Sequence, residues 1–333
     1  MNFSQFVLAS RPVGLPTSDN FRLEKISLGE LKENEVLLKS WYISVDPYMR
    51  GRMNSGKSYA APFEVDQPIN GAIVAKVVES KSKSFLPGDI VVGRFPWATY
   101  FTEKPENLRK IDIQNVPPGY YLGVLGMPGL TAYFGMMEIC KPKKGETAVV
   151  SGAAGAVGIV AGQIAKIQGS RVIGIAGSDE KCKLLKEQFG FDETINYKTS
   201  KSIRKDLAIL CPDGVDTYFD NVGGEITEAV AANLDFHARI ALCGQISQYN
   251  NSKPYIGYSI LPHLLTRSVL LQGFIVSNYS ARFGEAYAQL TKWVVEGTLK
   301  YTETVIDGFD KLPEAFLGLF SGKNQGKMMI KTE

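Results

Sequence analysis

Thr147-Ala-Val-Val-Ser-Gly-Ala-Ala-Gly-Ala-Val-Gly158 is the stretch of the sequence that decides the fold. Its first residues favour a β-strand, and its glycines at 152, 155 and 158 favour a tight turn. The apolar residues that follow are spaced as in a helix, and Gly169 ends that pattern. Arg171-Val-Ile-Gly-Ile175 then has the composition of a second buried strand. Together these segments predict a βαβ unit of about 30 residues.

A glycine-rich turn at this place is typical of dinucleotide binding. Its glycines let backbone N–H groups approach a pyrophosphate, and the N-terminus of the helix adds a partial positive charge there. The alternative is a tight turn without a ligand. The order of strand, turn, helix and strand favours the dinucleotide site.

The rest of the sequence divides into two kinds of pattern. The first ~125 residues contain short strand-forming runs punctuated by turns, which predicts a barrel-like antiparallel domain. From Thr147 to about Val276 strands alternate with helices, which predicts a doubly wound parallel sheet of the Rossmann type, with a fold of the α/β class. A helix at 312–320 and a closing strand at 326–331 return to the first domain. We therefore predict one domain from residues 1–125 and 300–333, and a nucleotide-binding domain from residues 126–299.

The same patterns predict further segments within the alternating region. They are helices at 181–189 and 225–234, strands at 215–222, 238–243 and 268–276, and an amphipathic helix carrying Phe283, Tyr287, Leu290 and Val294.

The composition excludes several classes of protein. The net charge of +3 is too small to indicate a nucleic-acid or membrane-surface partner. No apolar run is long enough for a membrane-spanning helix, and the N-terminus lacks a secretory pattern, so a cytoplasmic protein is expected. The four cysteines and two histidines are dispersed, which predicts no metal site. No G-x-S-x-G motif is present, which disfavours a serine hydrolase.

The end of the second strand favours NADP over NAD. NAD enzymes place an acidic residue there, which bonds the ribose 2′-OH, whereas NADP enzymes carry small and basic residues. Here the strand ends in Ala176-Gly-Ser178, and Lys181 follows one helical turn later. Asp179 could itself be the acidic residue, but we interpret it as the N-cap of the next helix.

Polar residues follow the later strands of the predicted sheet. Asp220-Asn221 follow the fourth strand, and Gly244 to Tyr249 follow the fifth. Because ligands bind at the carboxyl ends of parallel strands, we expect these residues to line the cofactor crevice, although loop residues facing water would show the same pattern.

The sequence resembles the zinc-independent medium-chain dehydrogenase/reductases that include prostaglandin reductases and NADPH-dependent 2-alkenal (double-bond) reductases. The resemblance lies in motifs spread in the family's order along most of the chain. They are Val45-Asp-Pro-Tyr-Met-Arg50, Met127-Pro-Gly-Leu-Thr-Ala-Tyr133, Val150 to Gly158, Gly177-Ser-Asp-Glu-Lys181, Asn196-Tyr-Lys198, Phe219-Asp-Asn-Val-Gly-Gly224, Cys243 to Tyr249, and Asn324-Gln-Gly-Lys327.

The resemblance implies a GroES-like β-barrel domain beside the Rossmann domain, a homodimer, NADP(H) as cofactor and no metal. It also implies residue roles: the pyrophosphate would be held by Gly155, Ala156, Val157 and Gly158, and the 2′-phosphate by Lys181, Tyr197 and Asn324. Asn221 would lie beside the ribose, and Tyr48 would face the substrate. The nicotinamide half would be flanked by Cys243, Gly244, Gln245, Ile246, Ser247, Gln248, Tyr249, Phe274, Ile275 and Val276.

The chemistry that this permits is reduction of the double bond of a small-molecule enal or enone, including substrates like a 15-oxoprostaglandin. Hydride passes to the β-carbon, and a donor at the carbonyl oxygen stabilises the enolate. Tyr249 and Tyr48 are the candidate donors, because a neutral tyrosine hydroxyl donates at pH 7; a ribose hydroxyl or water could do the same. Packing is the alternative role for both rings. The alternative functions are an NADPH:quinone oxidoreductase and a dinucleotide-binding relative without catalysis.

Overall fold

The computed structural model describes residues 2–332, with side chains from residue 3 onward. Contacts group the chain into two compact units. The first unit contains the residues up to Leu122 and those from Glu303 onward, and the second contains Gly123–Thr302. The chain therefore leaves the first unit after Leu122 and returns to it at Glu303.

Strands and helices are numbered in chain order. The strands are β1 (Asn2–Leu8), β2 (Phe21–Ser27), β3 (Val36–Ser44), β4 (Asn70–Ser80), β5 (Ile90–Pro96), β6 (Tyr100–Glu103), β7 (Arg109–Lys110), β8 (Thr147–Ser151), β9 (Arg171–Ala176), β10 (Glu193–Asn196), β11 (Val215–Asp220), β12 (Leu234–Leu242), β13 (Leu270–Gly273), β14 (Glu303–Asp307) and β15 (Lys327–Lys331). The α-helices are α1 (Met49–Arg52), α2 (Met127–Phe134), α3 (Gly158–Ile167), α4 (Asp179–Phe189), α5 (Ile203–Leu210), α6 (Gly224–Ala231), α7 (Leu261–Thr266), α8 (Phe283–Val295) and α9 (Leu312–Ser321).

The second unit is built on a parallel sheet of six strands in the order β10-β9-β8-β11-β12-β13. The chain moves outward from β8 in one direction and from β11 in the other, so the strand order reverses between these two strands. In sheets of this kind the reversal marks the ligand crevice at the carboxyl ends of the strands. The predicted Rossmann sheet is confirmed.

Glycine is required where β8 turns into α3. A Cβ atom at Gly158 would lie 2.3 Å from the carbonyl oxygen of Gly152, which is backbone and has no room to move. The first turn of α3 therefore packs directly against the turn that leaves β8. This close approach is the reason for glycine at the end of the motif.

Most predicted elements have somewhat different bounds in the structure, and for two of them the physical reason is clear. The helix predicted at 225–234 ends at Ala231, because buried Leu234 already begins β12. The strand predicted at 268–276 is only β13, which pairs with β12 over four residues. The Asn278 side chain then accepts a hydrogen bond from the Ile275 N–H, and a 3₁₀ turn begins at Val276.

The first unit contains a sheet in the order β14-β15-β3-β4-β5-β7, with β6 also pairing with β3. β15 lies between β14 and β3, so the end of the chain joins the sheet that contains β3 to β7. The core of this unit includes the aromatic side chains of Trp97, Phe95 and Phe316 among aliphatic residues. Among the described residues, no helix combines the length and the apolar character needed to cross a membrane.

Candidate functional site

The carboxyl ends of β8 and β11 are tied together by side chains. The Ser151 hydroxyl donates to Asp220 Oδ1 at 3.0 Å and accepts the N–H of Asn221 at 2.9 Å. The Asn221 amide in turn donates to the Ser151 carbonyl at 2.8 Å. Asn221 is thus fixed at the point where the strand order reverses.

The buried carboxylate of Asp220 holds the carboxyl ends of β8 and β11 together through hydrogen bonds. It is fully buried and accepts hydrogen bonds from Ser151, Tyr218 and Thr227 and from the N–H groups of Val222 and Gly223. The expectation that Asp220 lines the crevice is therefore wrong. A carboxylate placed directly after a strand can fold back into the sheet when enough donors surround it.

The turn predicted to hold a pyrophosphate lies at the same edge. Gly155, Ala156 and Val157 are half-buried, whereas Gly158 is buried at the start of α3. The Gly155 N–H donates to the Gly152 carbonyl at 3.0 Å, which closes the turn. Backbone N–H groups at the start of a helix, with the helix dipole behind them, suit an anionic group.

At the end of β9, Ser178 rather than Asp179 is the N-cap of α4. The Ser178 hydroxyl accepts the N–H of Lys181 at 3.3 Å, and Asp179 is the first helical residue. The interpretation of Asp179 as the cap is therefore wrong. Its carboxylate instead accepts a hydrogen bond from the Asn196 amide at 2.8 Å, which joins the ends of β9 and β10.

Two lysines lie close together at this corner. Burial, and then the charge of Lys198, lower the pKa of Lys181. The Lys198 N–H is held by the Asn196 side chain at 3.1 Å. The ring of Tyr197 lies over Gly177, where an added Cβ would be 2.9 Å from it. A small strand end, an aromatic ring and two cations fit a phosphate group. The sequence predicts roles for Lys181 and Tyr197 but none for Lys198.

The segment Cys243–Tyr249 folds over the end of β11. The N–H groups of Cys243 and Ile246 donate to the carbonyls of Asp220 and Asn221, at 2.9 and 3.3 Å. Ser247 bonds the Val222 carbonyl through its N–H and its hydroxyl. Gly244 and Gln248 lie within this folded segment.

Tyr249 turns its hydroxyl back into its own loop. The Gln245 N–H donates to the Tyr249 oxygen at 3.3 Å, and a Cβ at Gly244 would lie 3.0 Å from that oxygen. The bond from Gln245 uses a lone pair of the oxygen rather than its proton. The side chain is half-buried beside Asn221.

The other residues predicted near the nicotinamide differ in accessibility. The Phe274 ring is buried and packs edge-on against Phe219, whereas Ile275 and Val276 are half-buried. Burial, with a further contribution from the Asp220 charge, raises the pKa of the Cys243 thiol to about 12. That thiol therefore stays protonated at neutral pH.

Tyr48 and Asn324 belong to the first unit. Asn324 lies in the turn between α9 and β15, where its amide donates to the Gly326 carbonyl at 2.8 Å. Tyr48 precedes α1, and Arg94 Nη2 lies 3.4 Å from its oxygen. Burial and then the Asp46 charge raise the pKa of Tyr48 well above its usual range, so the hydroxyl remains a neutral donor.

Neither Arg52 nor Arg94, both near Tyr48, was singled out from the sequence. Each donates to the side-chain oxygen Oδ1 of Asn70, at 3.1 and 3.3 Å. They are far apart in the sequence and belong to no motif, so only the fold brings them together. In residues 2–332, no cluster of three or more His, Cys, Asp and Glu residues has an arrangement that could hold a metal ion.

Comparison with known proteins agrees with this architecture. A family model described as the N-terminal domain of oxidoreductase matches residues 4–111, and one described as zinc-binding dehydrogenase matches residues 156–295. Prostaglandin reductase 1 of Bos taurus is 44% identical over 96% of both chains. The NADP-dependent 2-alkenal reductase of Nicotiana tabacum is 42% identical over 98% of this chain and 96% of its own. The crystal structure of CurA from Vibrio vulnificus in complex with NADPH covers 99% of both chains at 43% identity, with a TM-score of 0.94. The chain belongs to the medium-chain dehydrogenase/reductase family, in the group that contains the prostaglandin reductases and the NADPH-dependent 2-alkenal reductases.

Proposed function

We propose that this protein is an NADPH-dependent oxidoreductase that reduces the carbon–carbon double bond of α,β-unsaturated aldehydes and ketones. The observation that carries the proposal is the corner of β9 and β10, where Lys181 and Lys198 converge beside Tyr197. Such a corner suits the extra phosphate of NADP, and the Asp179 carboxylate beside it accepts a hydrogen bond from the Asn196 amide. Two relatives at 42% identity are named NADPH-dependent curcumin reductase and NADP-dependent 2-alkenal reductase.

The cofactor fits along the carboxyl edge of the second unit. We assign the pyrophosphate to residues 155–158, the 2′-phosphate to Lys181, Tyr197 and Asn324, and the ribose to Asn221. The nicotinamide half is assigned to residues 243–249 and 274–276, with Phe274 contributing through its backbone because its ring is buried. In this assignment residues 126–299 form the cofactor domain, and residues 1–125 with 300–333 form the substrate domain.

When bound, NADPH supplies a hydride to the β-carbon of the conjugated double bond. Negative charge then develops on the carbonyl oxygen, and a fixed hydrogen-bond donor at that oxygen lowers the barrier. Tyr249 and Tyr48 are the proposed donors. The Gln245 N–H orients the Tyr249 oxygen from one side, and Arg94 does the same for Tyr48.

The direct test is a panel of enals, enones and quinones offered with NADPH and followed by the loss of nicotinamide absorbance. We expect enals and enones to be reduced at the double bond, which product analysis would verify. Turnover of quinones alone would replace the proposal by a quinone oxidoreductase. Binding of NADPH without turnover of any acceptor would indicate a non-catalytic relative.

We expect Lys181→Ala to weaken NADPH binding far more than NADH binding. Loss of a charge-assisted phosphate contact costs about 1.5–3 kcal/mol. Titration calorimetry with both cofactors measures the difference. Lys183→Ala is the matched control, because Lys183 is exposed on the same helix and pairs with Glu187 at 3.9 Å. Equal losses for the two cofactors would show that Lys181 does not contact the phosphate.

For Tyr249→Phe we expect enone reduction to slow by about 10- to 1000-fold with little change in NADPH affinity, because only the hydroxyl is removed. Single-turnover kinetics measures the hydride-transfer step directly. Tyr258→Phe, an exposed tyrosine of the same unit, serves as the control. An unchanged rate would transfer the role to Tyr48, the ribose hydroxyl or water.

We further propose a cytoplasmic homodimer formed through the second unit. Within the described residues β13 pairs only with β12, so one edge of the parallel sheet is open. Large apolar side chains nearby in the chain are exposed, among them Ile256, Tyr258, Leu261 and Leu265. Pairing of two such edges would satisfy the backbone and bury this patch. Light scattering after size exclusion distinguishes a dimer from a monomer.

A further inference from the structure

Arg52 and Arg94 of the first unit donate hydrogen bonds to the same uncharged side chain, that of Asn70. Arg52 Nη1 and Arg94 Nε donate to the same Asn70 oxygen, at 3.1 and 3.3 Å. The guanidinium of Arg52 also stacks on the Phe63 ring, 4.0 Å from its centroid, and donates to the Ala61 carbonyl. These contacts hold a half-buried cation in a defined place. Burial and then the charge of Arg94 lower the pKa of Arg52.

Among residues 2–332, no carboxylate pairs with either guanidinium group. Within residues 2–332, neither Arg52 nor Arg94 lies within 4.0 Å of an acidic oxygen. Other arginines of the chain do have acidic partners, namely Arg11, Arg22, Arg239 and Arg282. Two like charges held together without a counter-charge make a site of positive potential, and guanidinium groups match a carboxylate in shape.

The arginine pair lies directly beside Tyr48. Arg94 Nη2 is 3.4 Å from the Tyr48 oxygen, and its guanidinium carbon is 5.6 Å from the centre of the ring. A ligand whose carbonyl oxygen accepts from Tyr48 would therefore have the adjoining substituent next to a cation. The adjoining group that fits best is a carboxylate bonded to the carbonyl carbon itself.

We propose that Arg52 and Arg94 form a carboxylate subsite that selects conjugated enones carrying a carboxylate on the carbonyl carbon. The proposal rests on the proposed function, because it places the enone carbonyl at Tyr48. The carboxylate would lie against the two guanidinium groups, while hydride still adds to the β-carbon. Neutral enones would be accepted with lower efficiency, since they leave the arginine pair without a counter-charge.

The test compares two substrates that differ only in charge, benzylidenepyruvate and its methyl ester. For the unmodified enzyme with NADPH we expect a ratio of kcat/KM for acid over ester that falls as salt is added. In Arg52→Gln and in Arg94→Gln we expect this ratio to drop by about 10- to 100-fold, as for loss of a charge-assisted hydrogen bond. Arg22→Gln is the control, because Arg22 is an exposed arginine already paired with Glu24 and Asp66.

Two outcomes would overturn the subsite. One is an acid-to-ester ratio that both Gln variants leave unchanged. The other is an equal fall of kcat/KM for acid and ester in Arg94→Gln, which would mean that Arg94 acts only through Tyr48.

A binding experiment tests the subsite separately from the proposed reductase activity. Calorimetry measures how tightly the whole enzyme binds the saturated analogue of benzylidenepyruvate and the methyl ester of that analogue. The acid could bind more tightly than the ester, in a way that depends on both arginines, while neither enone is reduced. That outcome would contradict the proposed reductase activity and support the subsite. Equal binding of acid and ester to the unmodified enzyme would refute the subsite even if both enones are reduced.

Discussion

Asp220 in the second unit and Glu303 in the first are both carboxylates with buried oxygens, but their surroundings are opposite. Five donors point at the Asp220 carboxylate. Within the described residues, Glu303 Oε1 is buried without any hydrogen-bond partner. The natural partner is close, because Glu303 lies directly across from Lys327 in the pairing of β14 with β15.

Lys327 does not donate a hydrogen bond to Glu303, because all three protons of the Lys327 ammonium group already have other acceptors. Its ammonium group donates to the Val45 and Met328 carbonyls and to Asp46, and an ammonium has three protons. Burial consequently raises the pKa of Glu303 to about 7, with the Lys327 charge opposing the shift. The comparison teaches that a buried carboxylate is stabilised by the number of donors aimed at it rather than by the nearest cation.

Removing Asp220 should have the largest effect. We expect Asp220→Ala to lower the free energy of unfolding by about 3–5 kcal/mol, because buried donors on Ser151, Tyr218 and the following turn lose their charged acceptor. NADPH binding should weaken as well, since the same network fixes Asn221. Urea unfolding and cofactor titration measure the two effects.

Asp220→Asn sharpens this test. The amide oxygen can still accept the four donors that meet Oδ1, and the amide nitrogen would face only the Thr227 hydroxyl, which can turn and accept. We expect Asp220→Asn to cost clearly less than Asp220→Ala. Asp213→Asn, at an exposed position, provides the baseline. Equal losses for Asn and Ala at position 220 would show that charge, rather than the set of donors, decides the stability.

Tyr218→Phe removes a single donor from the Asp220 network and should have an intermediate effect. The Tyr218 hydroxyl donates to Asp220 Oδ1 at 2.8 Å in a fully buried place. We expect a loss of about 1.5–3 kcal/mol, as for a hydrogen bond to a charged group, while the four remaining donors keep the turn in shape. Chemical unfolding gives the loss, and an unchanged NADPH affinity would verify that the edge stays intact. A loss of NADPH affinity as large as that of Asp220→Ala would contradict the expectation that the four remaining donors hold the Asp220 carboxylate and its turn in place.

Much of the fold could be predicted because its signals are local. The β8–α3–β9 unit follows from glycines and apolar spacing within one short stretch, and the closing strand β15 from its composition. The strand predicted at 268–276 is longer than β13, because an apolar run does not reveal how many of its residues pair with a neighbouring strand. The cap of α4 was assigned one residue too late because Ser178 and Asp179 are both good cap residues, and only the hydroxyl contact with Lys181 decides between them.

The charged networks of the candidate site could not be predicted in the same way. Lys198 could have been found, since it stands in the Asn-Tyr-Lys motif directly after Tyr197. Arg52 and Arg94 could not, because Arg52 ends α1 and Arg94 lies in β5, and only the folded chain brings both to the Asn70 side chain. Nor does the sequence show that a polar residue at the end of a strand, such as Asp220, turns inward rather than toward a ligand.

Glu303→Gln should have the smallest effect on stability of these substitutions. It removes the charge of a carboxylate that has too few hydrogen-bond donors around it. The folded state binds the Glu303 proton more tightly than the unfolded chain does, so the charged form costs stability. That cost is absent below the ordinary pKa of glutamate, grows as the pH rises, and is complete above about 7. Lys327, Tyr42 and Tyr120 are the titratable groups that face this carboxyl; burial raises the pKa of both tyrosines further above that window and lowers the pKa of Lys327. We expect Glu303→Gln to stabilise the protein by roughly 1 kcal/mol at pH 8, after allowance for partial exposure of the side chain, and to have almost no effect at pH 5.

Thermal unfolding at both pH values measures the change, with exposed Glu314→Gln as the matched control. A gain of the same size at both pH values would show that the substitution acts through packing, and a loss at pH 8 would show that the charged carboxylate has donors after all.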